Sequence, residues 1–238
     1  MEHKHTREAI RERFSAEPRQ SYIRDCVYGG VDGAVTIFAI VSGVVGARLS
    51  SSVIVVLGLS NLVADGLAMA ASNYLATRSE QDELRHAEAI EHRHIETVPE
   101  GEREEVREIF RGYGLQGDVL ERVVETITAN PGRWVRTMVR EEYGLPAAVR
   151  SSWRAAASTF SAFLLCGLLP LIPFVTGLTN AFGIAAVATG FAFALIGALK
   201  SRWSIRPWWR SALETLAVGA GAATVAYGIS SGIRGFSG

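Results

Sequence analysis

Two Asp-Gly steps lie inside apolar runs of this chain. Asp32 sits within residues 27–47 and Asp65 within residues 53–71. Each run is close to the roughly 20 residues that carry a helix across a ~30 Å hydrocarbon layer. A carboxylate there costs from about 2.5 to well over 10 kcal/mol unless water, a cation or a proton compensates it. The chemistry such a group offers is reversible exchange between a proton and a cation. Helical spacing adds companions. Asn61 lies four residues before Asp65, Met69 four after it, and Asp25 seven before Asp32. A line of Asp25, Asp32, Asn61, Asp65 and Met69 would offer a cation alternating hard and soft contacts across the bilayer.

A second group of candidates lies in residues 78–154, which hold 16 of the 24 acids in about a third of the length. At 100° per residue, Glu80, Glu83, Glu91 and His94 share one helix face. Glu102 and Glu105 are three residues apart on the next helix. Met138 and Glu142 are four apart on a later one, with Glu141 beside them. Oxygens alone suit Mg²⁺ or Ca²⁺, whereas adding His and Met shifts the preference toward Fe²⁺, Mn²⁺, Co²⁺ or Zn²⁺. The competing reading is a solvated, salt-bridged surface, because Arg85, Arg93, Arg103 and Arg107 are interleaved.

The elements that must position these groups are helical. The flanks of the acidic block are apolar, although the net charge is zero and 20% of residues are charged. This predicts an all-α membrane protein with one hydrophilic helical domain. Runs at 155–175, 181–199 and 212–233 bring the spans to five, the third kinked by Pro170 and Pro173. The predicted organisation is an amphipathic arm over 1–24, helices one and two over 25–77, a Glu-rich metal-binding domain over 78–150, and helices three to five over 151–238. Within the domain, helix two continues from Asn73 to Ile95 without a break. Thr97-Val-Pro-Glu reads as a capping box that starts a helix near Pro99 and runs to Tyr113. Further helices follow over 117–129 and, capped by Asn130, over 131–143. The pairs Gly29/Gly33, Gly43/Gly46 and Gly228/Gly232 permit close helix approach.

Lys4, Arg7, Arg11, Arg13, Arg19 and Arg24 precede the first span, and Lys200, Arg202, Arg206 and Arg210 follow the fourth. The loops after spans one and three hold only Arg48 and no cation, respectively. Alternation of basic and neutral loops puts the N-terminus and the acidic block in the cytoplasm and the C-terminus outside. Short loops and no visible targeting extension favour a bacterial inner membrane. Cys26 and Cys166 form no CxxC motif and read as reduced, apolar residues. Gly29–Gly33 lacks the Gly-Lys-Ser/Thr ending of a nucleotide-binding loop. With no net basic charge, nucleic acid is excluded as a partner.

Three segments carry a family resemblance: Val-Tyr-Gly-Gly-Val-Asp-Gly (27–33), Asn-Leu-Val-Ala-Asp-Gly-Leu-Ala-Met-Ala-Ala-Ser-Asn-Tyr-Leu (61–75) and Met-Val-Arg-Glu-Glu-Tyr-Gly-Leu (138–145). In that order, split by a Glu-rich block, they resemble the vacuolar iron transporter family. The resemblance implies a homodimer of five spans per subunit that exchanges cytosolic Fe²⁺ or Mn²⁺ for protons. It further implies that Asp32 and Met69 line the ion path, and that Glu91, Glu102, Glu105, Met138 and Glu142 hold metal on cytoplasmic helices. His94 stands where the family usually has Glu, and Val139 where relatives can carry Glu. No permanently bound cofactor is implied. Two other readings stay open. Glu83/His86 and Glu91/His94 are Glu-x-x-His pairs, as in ferritin-like di-iron oxidases, but both lie on one helix. A non-transporting metal sensor would bind metal without flux.

Overall fold

The computed structural model describes residues 6–15, 20–201 and 207–237. Lys4, Arg19, Arg202 and Arg206, four of the cations behind the expected orientation, lie outside the described residues. All regular structure among the described residues is helical. The elements are α1 (Arg7–Ser15), α2 (Ile23–Gly46), α3 (Ser51–Thr97), α4 (Pro99–Gly112), α5 (Gly117–Thr128), α6 (Pro131–Glu141), α7 (Ser152–Leu168), α8 (Ile172–Val175), α9 (Ala181–Ser201) and α10 (Trp208–Ser237).

Four of these are long and apolar enough to cross a membrane: α2, α3, α9 and, over Trp208–Ile233, α10. At 1.5 Å per residue the 47 residues of α3 extend about 70 Å, more than twice a hydrocarbon core. Its apolar first half therefore suits the bilayer and its charged second half suits water. The third apolar run, expected as one span kinked at Pro170 and Pro173, is instead broken there and is not among the four. Helix α7 ends after 17 residues, the chain turns through buried Pro170 and Leu171, and α8 adds one turn.

The chain divides into two compact units, one made of the chain up to Leu62 with Ser161 onward and the other Val63–Phe160. In the first unit α2, α9 and α10 pack on one another. Glycines set how closely. A Cβ on Gly33 would sit 2.4 Å from the Phe163 carbonyl oxygen of α7, and one on Gly197 would sit 2.5 Å from the Ala212 Cα of α10. Only glycine permits such backbone approach, and in lipid this packing carries much of the association energy. Gly46 meets the Tyr227 carbonyl in the same way at 2.8 Å, whereas Gly228 and Gly232 have nothing within 4 Å among the described residues.

The second unit closes on an apolar core of Val106, Leu120, Val124, Ile127, Trp134 and Met138. Val139 is buried in a neighbouring apolar seam with Ala87 and Val135. Asn130 caps α6 as predicted, its side chain accepting from Arg133 N at 2.9 Å. The capping box at Thr97 does not form. Thr97 is the last residue of α3, its hydroxyl donates to the Arg93 carbonyl at 2.8 Å, and Val98 is the N-cap of α4 with no side-chain bond. A threonine already inside a helix reaches back to the i−4 carbonyl more readily than forward. Glycines at positive φ end the helices here, Gly114 at 88° and Gly144 at 67°, a conformation that favours a residue without Cβ.

Candidate metal site

In the second unit the end of α3, the start of α4 and the end of α6 bring acids together. Glu91 is 1% exposed and Glu102 3% exposed, far below the usual exposure of carboxylates. His94, one turn after Glu91, places Nδ1 3.2 Å from Glu102 Oε1 and 4.0 Å from Glu91 Oε1. From across the fold, the Tyr143 hydroxyl donates to Glu91 Oε1 at 3.0 Å. Met138, on the inner face of α6, is fully buried.

The charges in this cluster act on one another. Burial, then the nearby Glu91, Glu105 and Glu142 charges, push the Glu102 carboxyl from 4.5 up to about 7. Burial with Glu91 and Glu105 also raises Glu142, partly opposed by His94. Burial and the bond to Glu91 hold the Tyr143 hydroxyl up at about 12, so it stays a donor. Oε2 of Glu91 and Oε2 of Glu102 are buried with no hydrogen-bond partner among the described residues. Orphaned buried carboxylate oxygens are costly, and a proton or a cation is what relieves them. Among the described residues no three His, Cys, Asp or Glu side chains already stand close enough to hold a metal ion together. The donors therefore fit a hard-to-borderline cation in type and burial, and binding requires their side chains to close in.

The remaining predicted ligands divide. Glu105 and Glu142 are exposed at the rim yet near enough to shift Glu102. Glu141 is turned elsewhere, accepting from the Tyr113 hydroxyl at 2.6 Å and lying 3.4 Å from Arg140 Nε. Glu80 and Glu83 are exposed and lie eight or more residues before Glu91, about 12 Å or more along the helix axis. They share its face but not its surroundings. Tyr143 was not among the predicted ligands. Its only sequence signal is a polar aromatic directly after Glu142.

In the apolar helices, Asp32 is exposed on α2, one residue from the Gly33 that meets α7. Asp25, two turns earlier, is 4% exposed, so the two acids share a side of α2 but not an environment. On α3, Asn61, Asp65 and Met69 are half-buried at spacings of four. Asn61 donates its amide to the Leu57 carbonyl at 3.1 Å. Cys26 and Cys166 are free thiols.

The VIT family model matches residues 23–231. The chain belongs to the VIT family. It is 33% identical over 214 residues to the vacuolar iron transporter of Centaurea cyanus, covering 88% of this chain and 87% of that protein. It is 32% identical over 210 residues to vacuolar iron transporter 1 of Arabidopsis thaliana, with 86% and 83% covered. With the vacuolar iron transporter of Toxoplasma gondii it shares 34% over 227 residues, with 88% and 74% covered. The matched stretch of this VIT-family chain takes in Asp32, Met69 and the whole acidic cluster.

Proposed function

We propose that this protein is a secondary transporter, not an enzyme, that moves Fe²⁺ or Mn²⁺ out of the cytosol in exchange for protons. In this reading it works as a homodimer with five spans per subunit, α7 and α8 together making the third. The N-terminus and the acidic domain face the cytosol. Co²⁺ and Zn²⁺ fit the same donors. Glu91, His94, Glu102, Glu105, Met138 and Glu142 collect the ion, and Asp32 and Met69 carry it through the membrane, with Asp25, Asn61 and Asp65 along the path.

The observation that carries this reading is Asp32, an exposed carboxylate on a helix apolar enough to span a bilayer. A cation and a proton compete for a carboxylate. One carboxylate can thereby link cation exit to proton entry by competition. The relatives' names, vacuolar iron transporters, support iron as the cargo. The ferroxidase reading loses support because His86 is exposed and Glu83 lies apart from the buried Glu91–Glu102 pair.

The test is reconstitution in vesicles holding a metal-sensitive dye, across a panel of divalent metals and with an imposed pH gradient. Metal flux that follows the gradient and collapses with a protonophore supports the proposal. Metal binding without flux, or oxygen uptake on adding Fe²⁺, contradicts it.

A further inference from the structure

Helix α6 is two-faced. Trp134, Val135, Met138 and Val139 point into the apolar interior, while Arg133, Arg136 and Arg140 recur at i, i+3 and i+7 on the opposite, exposed face. These three, with Thr137, Glu141 and Phe110 of α4, line an open cleft of about 390 Å³.

The charge balance of this cleft differs from that of the surrounding surface. On α4 every arginine faces a carboxylate. Arg103 lies 3.9 Å from Glu100, Arg107 pairs with Glu104 and Glu121, and Arg111 pairs with Glu108. In the cleft, Arg133 donates to the Thr126 carbonyl at 2.9 Å, and Arg136 has no ion-pair or hydrogen-bond partner among the described residues. The single acid, Glu141, is shared between Arg140 and the Tyr113 hydroxyl. Three arginines and one carboxylate thus line the cleft, in the most acidic third of the chain. Like charges that line one cleft repel unless an anion joins them. Planar guanidinium forks match the oxygens of a phosphate group bidentately, Thr137 adds a hydroxyl, and the volume falls within the range of small-ligand sites.

We infer that this cleft binds a phosphate group, carried either by a soluble phosphorylated anion or by an anionic lipid headgroup. It lies on the far side of α6 from Met138 and is separate from the acidic cluster.

The test uses the full chain, free of metal, in nanodiscs. In the first arm the discs are phosphatidylcholine only, and inorganic pyrophosphate is titrated while binding is followed by calorimetry. In the second arm no pyrophosphate is added, and the melting temperature is compared between phosphatidylcholine discs and discs containing phosphatidylglycerol. Saturable pyrophosphate binding that weakens at least tenfold in Arg136→Gln/Arg140→Gln, and weakens with added salt, supports the inference with a soluble source. Thermal stabilisation by phosphatidylglycerol alone, lost in the same variant, supports it with a headgroup source. Arg111→Gln, on α4 outside the cleft, leaves either signal unchanged. Arg136→Gln alone breaks no ion pair and should still weaken binding severalfold, which separates loss of the site from loss of the fold. Absence of both signals, or signals indifferent to Arg136 and Arg140, overturns the inference.

Discussion

The Tyr143 hydroxyl holds Oε1 of the buried Glu91 carboxylate at 3.0 Å, while Oε2 of the same group has no hydrogen-bond partner among the described residues. Fifty-two residues separate the pair in sequence, and the turn at Gly144 follows directly. One oxygen is fixed and the other left open, an arrangement that orients a carboxylate toward a cation as outer-shell partners do in metal sites. Tyr143→Phe should therefore weaken Mn²⁺ binding to the purified protein by about tenfold, in the range found when such partners are removed. Calorimetric titration checks this, and the melting temperature of the metal-free variant should fall only slightly.

Glu102 sets a pH window. Its folded pKa, about 7, is raised above the unfolded 4.5 mainly by burial and then by its acidic neighbours. Between those values the unfolded chain binds fewer protons than the folded one, so stability falls as pH rises and levels off above about pH 7. The metal-free protein should melt lower at pH 7.5 than at pH 5.5, and Glu102→Gln should flatten the difference. Metal binding should release a proton from this site at pH 6.5 and less at pH 8.5, shown by titration in buffers of different ionisation enthalpy.

Helix capping separates two similar-looking motifs. Asn130 accepts from Arg133 N, so Asn130→Ala should cost about 1 kcal/mol. Thr97 caps nothing and bonds back to Arg93, so Thr97→Ala should cost under about 0.5 kcal/mol. Denaturation of the two variants, side by side, reads the contrast.

Gly33→Ala places a methyl against the Phe163 backbone of α7, 2.4 Å from its carbonyl oxygen. Overpacking at backbone contact should cost about 1–3 kcal/mol and shift Asp32, its neighbour. Thermal unfolding in detergent and the flux assay should fall together, whereas Gly228→Ala, which meets nothing within 4 Å among the described residues, should leave both unchanged.

Much of this fold was legible in the chain because its signals are local. Apolar run length, the proline break after Leu168, Asn130-Pro131 and the glycines at 114 and 144 each act within a few residues. The error at Thr97 arose where two local preferences compete. The site was legible only in part. Spacing placed Glu91, His94 and Glu102, since each sits near a helix end that the breakers define. Spacing could not separate Glu142 from Glu141, because both sit where α6 ends, and the Tyr113 hydroxyl and Arg140 that draw Glu141 away are not legible from spacing. Nor could it exclude Glu80 and Glu83, since a helix face continues past the point where another element covers it. Tyr143 was invisible for the same reason as its bond: the partner is on another helix.

The proposed function requires that Asp32 exchange a metal ion for a proton within the membrane. The direct measurement is Mn²⁺ or Fe²⁺ flux into pH-graded vesicles by Asp32→Asn, reconstituted at the parent's density and shown to be folded. Flux should fall at least a hundredfold, with metal binding by the acidic cluster intact. Transport at the parent's rate by Asp32→Asn would contradict it.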